Sequence, residues 1–254
     1  MGKWTRWAIF ILLALPFSVI RFIFDPEKIP AGSELNWDAI PWVQMALLIG
    51  LGIILSFFIS GYIVRIYRGV QPAPDFTGWT ELFIDGIRLA LVWFLWFLPI
   101  FIMLIAGIVI AYASYVSTWA TSAEVTAGPN ITLLITVLLI LLVGFVLFVI
   151  VTFFGIIGAV RFARTGSIRE GIRVSQILKT IRTMGWLLYI LSLIVFVIIT
   201  AIYGIISAIL SFIPYIGWVL AIAIDPFFSI FFARYFTLVY NQGEPQPVPA
   251  APAV

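Results

Sequence analysis

The chain has 254 residues, of which 63% are hydrophobic and only 10% charged, and its mean hydropathy of +1.19 belongs to a protein whose solvent is lipid. Cysteine and histidine are both absent, which excludes disulfides, thiolate nucleophiles, imidazole bases and metal or haem ligation through those side chains. A net charge of +3 with pI near 9.3 fits cations concentrated at cytoplasmic helix ends better than it fits nucleic-acid binding.

Apolar runs long enough to cross about 30 Å of hydrocarbon at 1.5 Å per residue predict six transmembrane helices, near 6–24, 42–64, 89–116, 131–160, 186–212 and 217–240. The first is read as a span and not as a cleaved leader. Lys3 and Arg6 precede it, but Pro16 interrupts it, Arg21 follows it, and no small-x-small cleavage site appears. The third and fourth runs exceed the ~20 residues required, so they should tilt, protrude or be sheltered by protein. The fifth and sixth are joined by Ile213-Pro214-Tyr215-Ile216, a hairpin turn. Residues 1–240 thus form one six-helix transmembrane domain of three hairpins. The stretch 241–254, with Pro245, Pro247, Pro249 and Pro252, reads as a disordered cytoplasmic tail.

Basic residues give the orientation, because Lys and Arg near helix ends stay in the cytoplasm. Lys3, Arg6, Arg65, Arg68, Arg88, Arg161, Arg164, Arg169, Arg173, Lys179, Arg182 and Arg234 fall on one side of the six-span arrangement, against Arg21 and Lys28 on the other. Both termini are therefore expected in the cytoplasm, with the protein in the cell membrane.

Each cytoplasmic loop carries an amphipathic pattern. In 71–88, Trp79, Leu82, Phe83, Gly86 and Ile87 draw one apolar stripe, which predicts a short interfacial helix. Asp85 there can pair with Arg88, one helical turn on. In the second loop Ser167-Ile168-Arg169-Glu170 has the form of a capping box. Val174, Ile177, Leu178, Ile181 and Met184 follow at helical spacing, predicting a helix over 167–182 lying in the headgroup plane. Arg65, Arg68, Arg161, Arg164, Arg169, Arg173, Lys179 and Arg182 are candidate contacts for anionic lipid, each cation near the surface adding about 1 kcal/mol. The plainer reading of the same cations, and the one preferred, is a topology signal and membrane anchor.

The hairpins resemble one another. Pro41, Pro129 and Pro214 open their second helices, and aligning on Arg65, Arg161 and Arg234 places Ser56, Thr152 and Asp225 at one shared position nine residues upstream. Small residues recur at four-residue spacing in these helices: Gly52, Ser56 and Ser60; Gly155, Ala159 and Ala163; Ala221, Asp225, Ser229 and Ala233. Such stripes let backbones approach where lipid gives no hydrophobic drive for association. The second, fourth and sixth spans are therefore expected to form the inner seam.

Asp225, followed by Pro226, is the one ionisable side chain well inside a span, about 12 Å below the outer end of its helix. A carboxyl at that depth costs about 3 kcal/mol on the insertion scale, so it serves either as a proton or cation site or as a hydrogen-bonded packing device. No phosphate-cradling glycine loop, metal-ligand cluster or paired catalytic carboxylates accompany it in the sequence, and no cofactor is expected.

The stretch Gly61-Tyr62-x-x-Arg65-x-x-Arg68-Gly69, followed by Pro72-x-Pro74-Asp75-Phe76, Trp79, Glu81-Leu82-Phe83 and Asp85-Gly86, resembles the mainly archaeal membrane family called domain of unknown function 4013. The likeness extends more loosely over residues 45–240. It implies a multi-pass membrane protein with no catalytic residues to carry over. Asp225 departs from the family's last span, which is usually apolar and small.

These features predict a non-enzymatic, oligomeric membrane protein with a scaffold or accessory role, whose partners are lipids and other membrane subunits. The alternative is a channel or small-solute transporter lined by Ser56, Thr152 and Asp225. A lipid-handling protein is third.

Overall fold

With no water in the bilayer core, every backbone polar group must be satisfied within its own segment, and each predicted span is occupied by one helix. The computed structural model describes residues 3–23, 40–71, 73–121, 131–213 and 216–243. Its elements are α1 (Lys3–Ile23), α2 (Trp42–Tyr67), α3 (Trp79–Thr121), α4 (Ile131–Thr165), α5 (Ile168–Ile172), α6 (Val174–Met184), α7 (Trp186–Ser211) and α8 (Ile216–Asn241). No strand occurs among the described residues. Helices α2, α3, α4, α7 and α8 are long and apolar enough to cross a bilayer, while α1 offers a shorter apolar stretch, Trp4–Ile20. Pro129, Pro214 and the stretch 244–254 lie outside the described residues. Asn241 closes α8 instead of opening the tail, and the amides of Gln242 and Gly243 donate to Val239 and Tyr240.

The tightest packing joins α2 to α3. A Cβ on Gly61 would lie 1.9 Å from the carbonyl oxygen of Leu82, and one on Gly86 would lie 1.8 Å from that of Phe57. Phe57 and Gly61 are four residues apart, as are Leu82 and Gly86, so each helix offers a glycine to its neighbour's backbone one turn from its own contact carbonyl. This is a reciprocal small-residue crossing. The same device seats α5 on α4, where a Cβ on Gly158 would lie 2.2 Å from the Gly171 carbonyl oxygen.

Around these crossings lies the hydrophobic core. Phe10 of α1 meets Tyr62 edge-on at 4.9 Å, and Tyr62 stacks at 4.6 Å on Phe76 from the α2–α3 connection. Leu82, Val92, Ile157, Ile177, Ile181 and Tyr189 are fully buried beside them. All of these lie toward the end of the bundle that carries the arginines. Farther away, α3 and α4 pack on each other through Gly107 against Ile140 and Gly144 against Met103, while Ile105, Ile108, Leu141 and Phe145 are exposed. At 43 residues, α3 is about 65 Å long, twice the hydrocarbon thickness.

Two loop expectations are corrected. The stripe of residues 71–88 is not a separate interfacial helix: α3 begins at Trp79 and runs unbroken past Pro99. Leu82 and Gly86 face α2, not the membrane surface. In the second loop, the helix breaks at Arg173 (φ −81°, ψ 91°) into α5 and α6. Ile177, Ile181 and Met184 enter the protein core. Ser167 makes no side-chain cap, and Glu170 does not reach back to it but turns to Arg161 and Arg173, where charge-assisted bonds are the stronger ones.

The glycine crossing generates the first prediction. Gly61→Ala and Gly86→Ala should each lower stability by about 2–4 kcal/mol, since a backbone carbonyl cannot move aside without separating the helices. Gly50→Ala and Gly204→Ala, where nothing lies within 4 Å of the added Cβ, should be neutral or gain up to about 1 kcal/mol. Thermal melts of the four variants in one detergent check this ordering.

Candidate functional site

The polar side chains converge where the beginnings of α1, α3 and α7 meet the ends of α2, α4 and α8. Three of these boundaries are set by glycines in the left-handed region: Gly69 after α2, Gly166 after α4 and Gly185 before α7, each donating its amide to a carbonyl of the preceding turn. The chain turns sharply there and brings the arginines of α2 and α4 against the carboxylates that follow.

Arg6 of α1 donates to the Ala73 carbonyl and lies 3.7 Å from Asp75. Arg65 donates to the Asp75 carbonyl at 2.9 Å and approaches the exposed Glu81 at 3.6 Å. Arg68 is paired with Asp85 at 2.7 Å, with Asp85 only 7% exposed, and reaches the Ala163 carbonyl of α4 at 3.3 Å. The Asp85–Arg88 pair expected from spacing is not the one formed, since α3 buries Asp85 against the end of α2. Arg161 binds Glu170 at 2.7 Å and Thr180 at 3.2 Å. Arg164 donates to the Tyr67 carbonyl and to Asn241 Oδ1, and its guanidinium lies 5.8 Å from the Tyr240 ring centre.

Five of the eight cations considered for lipid thus have protein acceptors, Arg173 being the fifth. Arg173 is exposed and lies 3.3 Å from Glu170. Arg169, Lys179 and Arg182 are exposed. Other side chains pin the helices through backbone carbonyls: Trp7 to Ala223, Trp96 to Gly171, Tyr189 to Phe153, Tyr235 to Ser192 and Thr237 to Ile66.

Ser56, Thr152 and Asp225 are joined by no hydrogen bond among the described residues. Ser56 donates to Ile53 of its own helix at 2.7 Å. Asp225 accepts a hydrogen bond from Tyr203 of α7. Ile222, Pro226 and Ala233 are buried along α8, while Asp225 is exposed. Helices α2, α4 and α8 do pack together, with their polar link at Thr237, Ile66, Arg68 and Ala163. The glycines of the expected seam instead receive aromatic rings from outer helices, Gly52 from Phe17 and Gly155 from Trp93. Tyr203 and Asn241 were not singled out in the sequence: one is a tyrosine in an apolar span, and the other sits at the edge of a proline-rich stretch.

Hydrogen bonds from Arg161 and then Arg173 hold the Glu170 carboxyl below its ordinary value of 4.5. A lowered carboxylate value means the native state binds fewer protons than the unfolded one. The stabilisation is therefore complete above pH 4.5 and lost as pH falls through the native value. Acidification below 4.5 should loosen α5 from α4, and Glu170→Gln should flatten that part of the pH dependence of the melting temperature. An equal acid slope in parent and variant would contradict this assignment.

A family model for proteins of unknown function, DUF4013, matches residues 44–214. No curated protein and no solved structure matches the chain. The matched region runs from α2 through α7 and contains the Gly61–Gly86 crossing, the Arg68–Asp85 pair and the Arg161–Glu170 pair. Helix α1 and the α8 residues Asp225, Arg234 and Asn241 fall outside it. The chain, with its long apolar helices, is a multi-pass membrane protein that belongs to the DUF4013 family.

Proposed function

We propose that the protein is a non-enzymatic scaffold or accessory subunit of a membrane assembly, oligomeric, with six spans and both termini in the cytoplasm. The sixth span in this reading is α1. Although short, it contributes Phe10 and Leu13 to the core and ties itself to α8 through Trp7. The supporting observation is where the polar groups go. They bond to one another at one end of the bundle, whereas Asp225, the intramembrane acid, points away from the α2–α4–α8 seam toward Tyr203. A translocation path needs several polar groups facing a common interior.

The apolar faces of α3, α4 and α7 are the surfaces through which such a subunit meets its neighbours. An exposed hydrogen-bonded carboxyl on an otherwise apolar face is costly in lipid and is better accommodated against another helix. Exposed Arg169, Arg173, Lys179 and Arg182 would lie toward anionic headgroups.

The Asp225–Tyr203 pair also keeps the transporter reading open, with lipid handling behind it. Reconstitution into vesicles separates the two leading readings. The scaffold reading expects no proton- or ion-coupled flux from either the parent or Asp225→Asn, at nearly equal melting temperatures. Flux in the parent that disappears in Asp225→Asn without loss of stability would overturn it.

A further inference from the structure

At the polar end, between the close of α2 and the last two turns of α8, lies a cavity of about 230 Å³ lined by Gly69, Gln71, Arg234, Thr237, Leu238 and Asn241. That is room for a hydrated oxyanion, a water's share of liquid volume being about 30 Å³. Arg234 is half-buried, and it is the third member of the series Arg65, Arg161, Arg234. The first two members face carboxylates, Glu81 and Glu170. The remaining described carboxylates at this end are also engaged, Asp75 by Arg6 and Asp85 by Arg68. For Arg234 no hydrogen bond or ion pair to any described residue is formed.

The rest of the lining suits an anion. Asn241 accepts from Arg164 through Oδ1, so its amide N–H2 is the group left to face the cavity. Arg164 adds a second positive charge beside it, since a Cβ on Gly69 would lie 3.1 Å from its Nη2. Gln71 can donate as well. Thr237 already donates to the Ala233 carbonyl at 2.7 Å. Among the described residues no carboxylate lines the cavity.

We propose that this cavity is a binding site for a phosphate-type oxyanion, held by the Arg234 guanidinium and the Asn241 amide, with Arg164 behind them. A lipid headgroup phosphate and a free phosphate share this chemistry. A bidentate guanidinium–phosphate contact is the strong form of such a bond.

Two titrations of the full-length protein test the site. In detergent, inorganic phosphate is added and the melting temperature followed; in vesicles of phosphatidylcholine with or without phosphatidylglycerol, enrichment of the anionic lipid around the protein is measured by native mass spectrometry. Arg234→Gln should weaken binding about tenfold or more, and Arg234→Lys should restore part of it. Asn241→Asp keeps an acceptor for Arg164 but puts a carboxylate into the cavity, and should abolish binding while leaving the fold intact. Arg88→Gln, an exposed cation of α3 outside the cavity lining, should bind as the parent does. A response to phosphate alone identifies a free anion, and selective retention of phosphatidylglycerol alone identifies a headgroup; both support the site. Binding that is absent from the parent, unaffected by Arg234→Gln, or lost equally with Arg88→Gln overturns it.

Discussion

The close crossing of α2 and α3 is the constraint on which the rest of the bundle depends. Lipid supplies no hydrophobic drive for two apolar helices to associate, so contact must come from packing and from hydrogen bonds that shorten with it. With Gly61 against Leu82 and Gly86 against Phe57, the backbones lie close enough for the end of α2 to meet the start of α3. Arg65 and Arg68 then reach Asp75, Glu81 and Asp85. Separating the helices by one methyl group would pull these charges apart, leaving Asp85 buried without its cation. Removing one partner from such a pair costs more than the pair contributes when intact.

From this crossing the other helices are added by the same combination of small residues and guanidinium bonds. Arg68 and Arg164 tie α4 to α2, Arg164 and Thr237 tie α8 to that pair, and Gly158 with Arg161 seats α5. The result is a protein of two unequal halves. One end is cross-linked by polar bonds around an aromatic core, while the other consists of long helices with exposed apolar faces. That division suits a subunit holding a fixed shape at one membrane surface and meeting its neighbours through the bilayer. Arg234, which bonds to no described residue, stands at this cross-linked end beside the cavity.

Much of this was legible in the sequence. Helix positions were, because a twenty-residue apolar run has few other uses, and so was the gathering of arginines at one end. Partners were not. The stripe Trp79, Leu82, Phe83, Gly86 looks the same whether it faces headgroups or another helix, and the structure turns it onto α2. Asp85 sits three residues from Arg88, but tertiary contact with Arg68 prevails because it is the pairing available to a buried carboxylate. Ser167 and Glu170 spell a capping box, yet Arg161, nine residues upstream of Glu170, takes the carboxylate. The shared register of Ser56, Thr152 and Asp225 is real along the chain. No hydrogen bond joins the three among the described residues, and Asp225 accepts from Tyr203 of α7.

The most direct test of this account is an experimental density map of the protein in a lipid bilayer disc at a resolution that shows side chains and ordered lipid. The account predicts a dry, apolar seam between α2, α4 and α8 and protein helices from neighbouring subunits seated on the exposed faces of α3, α4 and α7, with Asp225 and Tyr203 at or beside such a contact. A continuous wet path through the seam that reaches Asp225, in a protein surrounded only by lipid, would contradict it.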